Sequence, residues 1–318
     1  VTVMRDGTYV GTLITKDCAK DDIVNTMVGR VIYEDPKTQN MVPKDAPVVL
    51  KVDHLNAGKM VKDVSFELHK GEILGFSGLM GAGRTETARA LFGADPIDSG
   101  DIYINGKKVD IKSPEDAVRN GIGYLSEDRK RYGIVVQKSV AENTSMATME
   151  HFMKGIFIDK KKEKEVAQQY VESLATKTPN VDQLVVNLSG GNQQKVVIAK
   201  WLTRNCDILI FDEPTNALDP VGIVEMRSLI KQATAGAGTI IMCSHLLHEV
   251  ELACDRIMVL KEGNLIASFN LTDVQKMRHL YTIRTVNPAE AVAIVNGIAG
   301  LRVLKVEGNV LEVESSSH

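Results

Sequence analysis

Residues 188–195 read Leu-Ser-Gly-Gly-Asn-Gln-Gln-Lys, and residues 208–215 read Ile-Leu-Ile-Phe-Asp-Glu-Pro-Thr. A Ser-Gly-Gly turn that opens a helix offers a hydroxyl, free backbone N–H groups and a positive dipole end to an anion. A buried apolar strand that ends in adjacent carboxylates offers a magnesium ligand and a base at the carboxyl edge of a sheet. In this order, the two segments predict a nucleotide-hydrolysing α/β domain.

A third segment precedes these two and has the pattern of a phosphate-binding loop. Residues 78–85 read Gly-Leu-Met-Gly-Ala-Gly-Arg-Thr and fit G-x-x-x-x-G-K-[ST], except that Arg84 takes the place of the lysine. Glycines let backbone N–H groups wrap a phosphate at a helix N-terminus, and Thr85 offers a hydroxyl to Mg²⁺. Arginine keeps the positive charge, but its planar fork is a less compact charge between phosphates. We therefore expect nucleotide binding to survive better than hydrolysis.

Composition narrows the class of protein. A net charge of −3 over 318 residues gives no electrostatic case for binding nucleic acid or anionic lipid. The cysteines (Cys18, Cys206, Cys243 and Cys254) show neither C-x-x-C nor metal spacing, which favours free thiols in a reducing cytosol. No apolar run approaches the roughly 18 residues of a membrane span. A role in a membrane process would therefore be performed from the water side.

The pattern along the chain predicts several structural parts. Apolar strands and helices alternate from Gln193 to Ala253, as a doubly wound sheet requires. Residues 1–13 resemble residues 257–269, because both read as a strand, a charged turn with glycine and a returning strand. We predict an α/β protein with a mostly parallel core sheet, an antiparallel β subdomain and a helical subdomain. The predicted parts are a remnant of a preceding ATPase cassette (1–33), a linker (34–47), a nucleotide-binding domain (48–270) with its helical subdomain at about 114–200, and a small α+β C-terminal appendage (271–318).

These motifs resemble those of ABC-type ATPases, which are P-loop NTPases: residues 188–195 resemble the signature loop and residues 208–215 the Walker B strand with its catalytic glutamate. From Val1 to about Leu202 the chain looks like the tandem ATPases of bacterial ribose, galactose and xylose importers, from the end of the first cassette into the second. In having an arginine, Arg84, in the phosphate loop, the chain resembles the second cassette of those proteins. The segments that carry the likeness are residues 5–7, 27–30, 78–86, 126–130 and 188–195.

The resemblance implies ATP and Mg²⁺ as cofactors and assigns roles to individual residues. Glu213 would be the catalytic base, and His245, at the end of an apolar strand, the switch histidine that senses the γ-phosphate. Thr85, Asp212 and Glu127 would serve Mg²⁺, with Glu127 standing where most relatives have glutamine. His54 is the nearest candidate to contact adenine. The nucleotide-binding residues would be Gly78, Met80, Gly81, Ala82, Gly83, Arg84, Thr85, Glu86, Ser189, Gly190, Gly191 and Gln193.

Beyond residue 215 the resemblance changes. Residues 216–223, which include a sequence like the D-loop at 217–219, and residues 244–250 look like ATPases of the bacitracin-resistance exporter type. The C-terminal appendage is similar to theirs, so the chain resembles a mosaic joined between about Lys200 and Asp219. We predict the ATPase of a monosaccharide importer. The alternatives are the ATPase of a drug or peptide exporter and a non-hydrolysing regulatory cassette, while the near-neutral charge disfavours a non-transport ABC ATPase acting on ribosomes or DNA.

The resemblance also implies partners and a location. One cassette would supply half of each composite site, so a second cassette is expected, either as an upstream domain or as a dimer mate. Transmembrane permease subunits and, through them, a solute-binding protein would complete the assembly, with no nucleic acid. The chain would then lie on the cytoplasmic face of the cell membrane as a peripheral subunit.

Overall fold

The computed structural model describes residues 1–5, 8–16, 18, 23, 26, 42, 43, 45–235, 238–275, 279–298 and 300–315. They divide into two compact units, Val1–Phe269 and Asn270–His318. Most of the predicted linker and the segment 27–30 lie outside the described residues, as do Asp6 and Gly7. The assignment of residues 1–33 to a preceding cassette stays a prediction.

The strands and helices are labelled in chain order. The strands are β1 (Thr2–Arg5), β2 (Thr8–Thr12), β3 (Val48–Ala57), β4 (Val61–His69), β5 (Ile73–Ser77), β6 (Ser99–Ile104), β7 (Lys107–Val109), β8 (Ile122–Leu125), β9 (Met153–Lys154), β10 (Phe157–Ile158), β11 (Ile208–Asp212), β12 (Thr239–Ser244), β13 (Arg256–Lys261), β14 (Asn264–Asn270), β15 (His279–Arg284), β16 (Leu301–Glu307) and β17 (Val310–Ser315). The helices are α1 (Arg84–Leu91), α2 (Pro114–Arg119), α3 (Val140–Ser145), α4 (Lys160–Ser173), α5 (Gly190–Arg204), α6 (Pro220–Ala235), α7 (Leu247–Ala253), α8 (Leu271–Gln275) and α9 (Pro288–Asn296).

The core sheet has the strand order β14-β13-β5-β12-β11-β8. Parallel pairings join β8 to β11, β11 to β12, β12 to β5 and β5 to β13. Strands β5, β8, β11 and β12 are buried along their whole length, which is why they read as continuous apolar runs and not as alternating ones. The carboxyl ends of β5, β11 and β12 lie side by side and carry the polar residues of the site.

A second, antiparallel sheet has the order β4-β3-β6-β7. Strand β3 pairs with β4 on one side and with β6 on the other. The predicted antiparallel β subdomain is therefore present. Phe66 of β4 packs edge-on against Phe76 of β5, with ring centroids 5.2 Å apart, so this sheet is joined to the core sheet through apolar side chains.

The range predicted as the helical subdomain, about 114–200, begins with the short helix α2 but then includes strand β8. Strand β8 belongs to the core sheet, because Ile122 pairs with Ile208 in a parallel register. A four-residue apolar run carries no periodicity that separates a buried strand from a buried helix, which explains why the prediction included it. Helices α3, α4 and α5 follow and contact one another. Helix α3 begins with a capping box between Ser139 and Glu142.

Trp201 on α5 connects the helical part to the core sheet. Its ring lies 5.9 Å from that of Phe92, in an edge-on arrangement. A Cβ on Gly123 of β8 would lie 3.1 Å from the indole, so only glycine leaves room for it. The side chain is 6% exposed, and its indole N–H is buried without a hydrogen-bond partner.

The C-terminal unit is a sheet of order β15-β17-β16 with helix α9. Val295 of α9 packs against Leu311 and Val313 of β17. The succession strand, helix, strand, strand is that expected for an α+β appendage. Within the described part of the chain, no helix has the length and apolar character needed to cross a bilayer.

Candidate active site

The loop between β5 and α1 has the backbone of a phosphate cradle. Gly78, Gly81 and Gly83 have φ angles of 156°, 75° and 99°, in the region that favours glycine. A Cβ on Gly83 would collide with the carbonyl oxygen of Met60, whereas a Cβ on Gly81 would meet nothing within 4 Å. The loop is therefore tightly packed at Gly83 and open at Gly81, as a cradle for a phosphate group requires.

The other predicted residues of this loop occupy different positions. Met80 is 86% exposed, so its side chain lies in solvent beside the loop. Ala82 is buried and donates its N–H to the carbonyl oxygen of Leu79 at 3.0 Å, so this N–H is engaged within the loop. Glu86 is half-buried in the first turn of α1. Gly81, between Met80 and Ala82, has open space around its Cα.

Arg84 is turned inward. One guanidinium nitrogen, Nη1, donates to the carbonyl oxygen of Gly78, and the other, Nη2, donates to Oε1 of Glu213 at 3.0 Å. The side chains of Arg84 and Glu213 are 7% and 5% exposed. The expected position, with the cation reaching out toward phosphates, is not the one observed.

Glu213 follows β11 and has a φ of 47°, a left-handed conformation that is unusual for a residue with a side chain. Its N–H donates to the carbonyl oxygen of Cys243 at 2.9 Å, which fixes it against the end of β12. Its Oε2 lies 2.9 Å from Nδ1 of His245 and 3.4 Å from the Oγ of Ser244. The structure thus brings together Glu213 and His245, the two predicted catalytic residues.

Asp212 and Thr85 meet as the resemblance predicts for a magnesium site. The hydroxyl of Thr85 donates to Oδ1 of Asp212 at 3.0 Å, and the hydroxyl of Tyr124 donates to Oδ2 at 2.7 Å. Burial raises the pKa of Asp212 to about 6, although both hydrogen bonds lower it. The sequence did not predict the contact of Tyr124 with Asp212; the signal for it is the position of Tyr124 near the end of β8, a strand that pairs with β11.

Glu127, the third predicted magnesium ligand, is not part of the Thr85–Asp212 pair. It is exposed, and its Oε1 accepts a hydrogen bond from Nδ2 of Asn216 at 3.1 Å. Among the residues with described positions, no group of three or more His, Cys, Asp or Glu side chains could hold a metal ion. One carboxylate and one hydroxyl nevertheless suit Mg²⁺, which binds few protein ligands and completes its shell with water and phosphate oxygens.

The predicted signature loop precedes α5. Ser189 is exposed, and its Oγ accepts from Nδ2 of Asn192 at 2.8 Å. Ser189, Gly190 and Gly191 line a cavity of about 720 Å³ together with residues of the loop after β11. Gln193 is not at this surface: it is 4% exposed, and its amide donates to the carbonyl oxygens of Val185 and Leu188. Its predicted contact with nucleotide is therefore replaced by a structural role in holding the loop.

The signature cavity and the phosphate loop are separate in one chain. The phosphate loop lines another cavity, of about 430 Å³, together with His245, Leu260 and Ile266. The two cavities share no lining residue.

His54, the candidate for adenine, lies on β3. It is exposed, and its Nδ1 is 2.6 Å from Oδ1 of Asp63. Asp63 raises the pKa of His54 through this hydrogen bond. The imidazole is thereby held toward a carboxylate on the neighbouring strand β4.

Comparison with known proteins gives the class to which this site belongs. Residues 61–216 match the sequence model of the family described as ABC transporter. Solved structures share the fold: a nucleotide-free ATP-binding cassette from an ABC transporter (TM-score 0.62, 21% identity, 70% of this chain and 91% of that chain) and a dimeric cassette bound to ADP and Pi (TM-score 0.60, 21% identity, 70% and 98%). The chain therefore carries an ATP-binding cassette of the ABC transporter family.

Its more similar relatives are named as sugar import proteins. The chain is 48% identical over 290 residues to a putative ribose/galactose/methyl galactoside import ATP-binding protein of Burkholderia lata, covering 89% of this chain and 56% of that protein. It is 45% identical over 266 residues to the ribose import ATP-binding protein RbsA of Clostridium tetani, covering 83% and 52%. The chain thus spans about half the length of the curated relatives that it matches.

The alignment with the Burkholderia protein covers 89% of the chain, so it continues well beyond residue 202. The similarity to importer proteins therefore does not stop at the predicted junction. The resemblance of the later segments to bacitracin-exporter ATPases stays a prediction.

Proposed function

We propose that this chain is the ATP-hydrolysing subunit of a membrane ABC transporter, of the type that imports monosaccharides. The observation that carries this proposal is the assembly of the phosphate loop, the Thr85–Asp212 pair and the Glu213–His245 pair at one edge of the core sheet. Its 48% identity to a protein named as a ribose/galactose/methyl galactoside import ATP-binding protein supports the cargo class.

In this proposal, each group of site residues would have its own role in ATP hydrolysis. The amides of the phosphate loop and Arg84 would bind the phosphates of ATP. Bound Mg²⁺ would neutralise charge on the phosphate oxygens, with Thr85 and Asp212 as its protein ligands. Glu213 would orient or deprotonate the attacking water, and His245 would contact the γ-phosphate.

We also propose that the active form is a pair of cassettes. The signature cavity and the phosphate loop do not meet within one chain, so Ser189, Gly190 and Gly191 would contact ATP held by a second cassette. Permease subunits would receive the resulting motion, and a solute-binding protein would deliver the sugar. The chain would therefore work as a peripheral subunit on the cytoplasmic face of the membrane, without nucleic acid.

A non-hydrolysing regulatory cassette is the second candidate. The observation that favours it is the ion pair between Arg84 and Glu213, which engages the proposed catalytic base. In such a cassette, ATP would set the shape of the dimer without being cleaved.

Measurement of Mg²⁺-dependent ATP turnover by the 318-residue chain separates the two candidates. Replacing Glu213 with Gln should lower turnover by about 10²-fold or more, because the carboxylate that activates water is lost. Glu165, an exposed carboxylate of α4, provides the control: Glu165→Gln should leave turnover unchanged. Turnover that is equal in the parent and Glu213→Gln proteins would remove Glu213 from the mechanism.

The cargo is tested by capture of membrane partners. The chain should retain a permease of the sugar-import type from solubilised membranes. Capture of an exporter membrane subunit in place of a sugar permease would contradict the import assignment.

A further inference from the structure

We propose that Arg84 keeps Glu213 inactive until a phosphate group of the nucleotide displaces it, so that the arginine makes the catalytic base available only in a loaded site. This inference rests on the proposed nucleotide site and adds a regulatory step to it. It gives a reason for an arginine at the position where the phosphate-loop pattern has lysine.

The first observation is the number of donors around the Glu213 carboxylate. Oε1 accepts from Nη2 of Arg84 and from the backbone N–H of His245, both at 3.0 Å. Oε2 lies within hydrogen-bond distance of Nδ1 of His245, at 2.9 Å, and of the Ser244 hydroxyl, at 3.4 Å. Because an ionised carboxylate only accepts, His245 must carry a proton on Nδ1 in this arrangement.

A carboxylate offers about four acceptor positions. The Arg84, Ser244 and two His245 donors fill them, so no position is left to receive a hydrogen from an attacking water. Glu213 can orient a water only after one donor leaves.

Arg84 is the donor whose departure is coupled to the substrate. Ser244 is the last residue of β12 and His245 follows it directly, so the Ser244 hydroxyl and the backbone N–H of His245 belong to the edge of the sheet, whereas Arg84 sits within the phosphate loop itself. A phosphate is a strong bidentate partner for guanidinium. The nucleotide therefore brings to this loop the group that can replace Glu213 as the partner of Arg84.

The cost of separation explains why the arginine stays inward when no phosphate is present. Arg84 and Glu213 are 7% and 5% exposed, and separating a buried pair without a new partner leaves an uncompensated charge. A guanidinium also suits this position better than an ammonium group, since its planar fork reaches the Gly78 carbonyl and Glu213 at once.

The proposal predicts competition between Glu213 and phosphate for Arg84. The experiment measures the Kd of Mg²⁺–ADP and of pyrophosphate by titration calorimetry, using the full chain. Glu213→Gln removes the charge, while Glu213→Asp keeps the charge and shortens the side chain. Each is measured with Arg84 present and in an Arg84→Lys background, where a cation remains but cannot bridge both partners.

With Arg84 present, Glu213→Gln should tighten pyrophosphate and ADP about tenfold, in line with the value of one charge-assisted hydrogen bond. Glu213→Asp should tighten both ligands as well, although the net charge is unchanged. In the Arg84→Lys background, both gains should fall to about twofold or less. Adenosine, which has no phosphate, should bind equally in all six proteins.

The outcomes separate this proposal from general electrostatics and from failure of the site itself. Equal tightening in the arginine and lysine backgrounds would mean that simple charge removal is responsible and would overturn the switch. Absence of tightening by both Glu213 variants would also overturn it. A parent chain that binds neither ADP nor ATP would instead contradict the proposed function. Thermal unfolding of each variant confirms that folded proteins are compared, and Glu213→Asp serves if Glu213→Gln does not fold.

Discussion

Buried charges in this chain differ in what stabilises them. Arg227 on α6 and Glu249 on α7 form an ion pair with side chains that are 10% and 8% exposed. Lys200 on α5 instead donates to the carbonyl oxygen of Gly133 at 2.6 Å and lies 4.5 Å from the centre of the Trp201 ring. Burial lowers the pKa of Lys200 from 10.5 to about 8. A protonated Lys200 is therefore a cost to the folded state at neutral pH.

The sign of this effect gives a test. Between pH 8 and pH 10.5 the unfolded chain holds more protons at this site than the folded chain, so stability rises with pH in that window. Lys200→Met abolishes the titration. As the pH rises from about 7 to about 10, the free energy of unfolding of the parent should therefore increase by about 2 kcal/mol more than that of the variant. Urea unfolding of both proteins measures it; a difference that does not change with pH would contradict the assignment.

At the scale of structural elements, three loops meet beside the first turn of α5. The loop after β8 carries Glu127 and ends at Arg129, the first residue of a π-helical turn (Arg129–Gly133), and Glu127 accepts from Asn216 in the loop after β11. A Cβ on Gly190 would lie 2.7 Å from Nη2 of Arg129 and 3.4 Å from the carbonyl oxygen of Ala217. The glycine at 190 thus makes room for an arginine from another loop. The Nε of Arg129 is buried without a partner, so this side chain is held by packing.

This contact predicts a change of sign in a double-mutant cycle. Gly190→Ala should lower the free energy of unfolding by about 1 kcal/mol, because the new methyl group displaces Arg129. In an Arg129→Ala background the same substitution should stabilise the protein by about 0.5 kcal/mol, the usual effect of alanine for glycine in a helix. Gly191→Ala is the matched control, since its Cβ would meet only Leu218, at 4.0 Å.

Urea denaturation curves supply the four values. If Gly190→Ala lowers the free energy of unfolding equally with and without Arg129, then Arg129 is not the reason why position 190 requires glycine.

Some features of these elements could be predicted from the sequence and others could not. Strands β11 and β12 are five and six residues long, contain the apolar runs 208–211 and 240–243, and are bounded by helices, so their type and their common edge could be predicted. Asp212, Glu213 and His245 follow from those strand ends. The orientation of Arg84 could not be predicted, because it depends on whether a long side chain reaches Glu213 or solvent. The contacts of Tyr124 and Arg129 could not be predicted for the same reason: their partners lie on elements that are distant in sequence.

At the scale of the whole molecule, the separation of the two cavities bears on the proposed pairing of two cassettes. The signature cavity includes Gly191 and Leu218, whereas the phosphate-loop cavity includes Gly78 and His245. If ATP lies between a phosphate loop and a signature loop, the two must come from different cassettes. A pair of chains would then hold two equivalent composite sites.

Mixing two inactive variants tests this arrangement. Ser189→Arg places a bulky cation on the signature loop and should abolish ATP-dependent dimerisation while leaving the ATP affinity of the single chain nearly unchanged. Thr85→Ala damages the phosphate loop alone. A mixture of the two should recover dimers, and up to about half of the turnover per dimer, because one composite site is then intact.

Light scattering and an ATPase assay measure these quantities. Failure of the mixture to recover either one, together with a loss of ATP affinity in the Ser189→Arg chain alone, would indicate that the signature loop serves its own chain.

The environment of Trp201 has a practical consequence for measuring closure of the signature loop. The sequence contains one tryptophan, and it lies where α5 meets Phe92 and strand β8, with an indole N–H that has no hydrogen-bond partner. Helix α5 begins at the signature loop, so a tilt that accompanies closure of that loop would change the access of water to the indole. Intrinsic fluorescence therefore offers an unlabelled optical signal for this movement: hydration of the indole N–H would shift its emission to longer wavelength, in real time and from one known position.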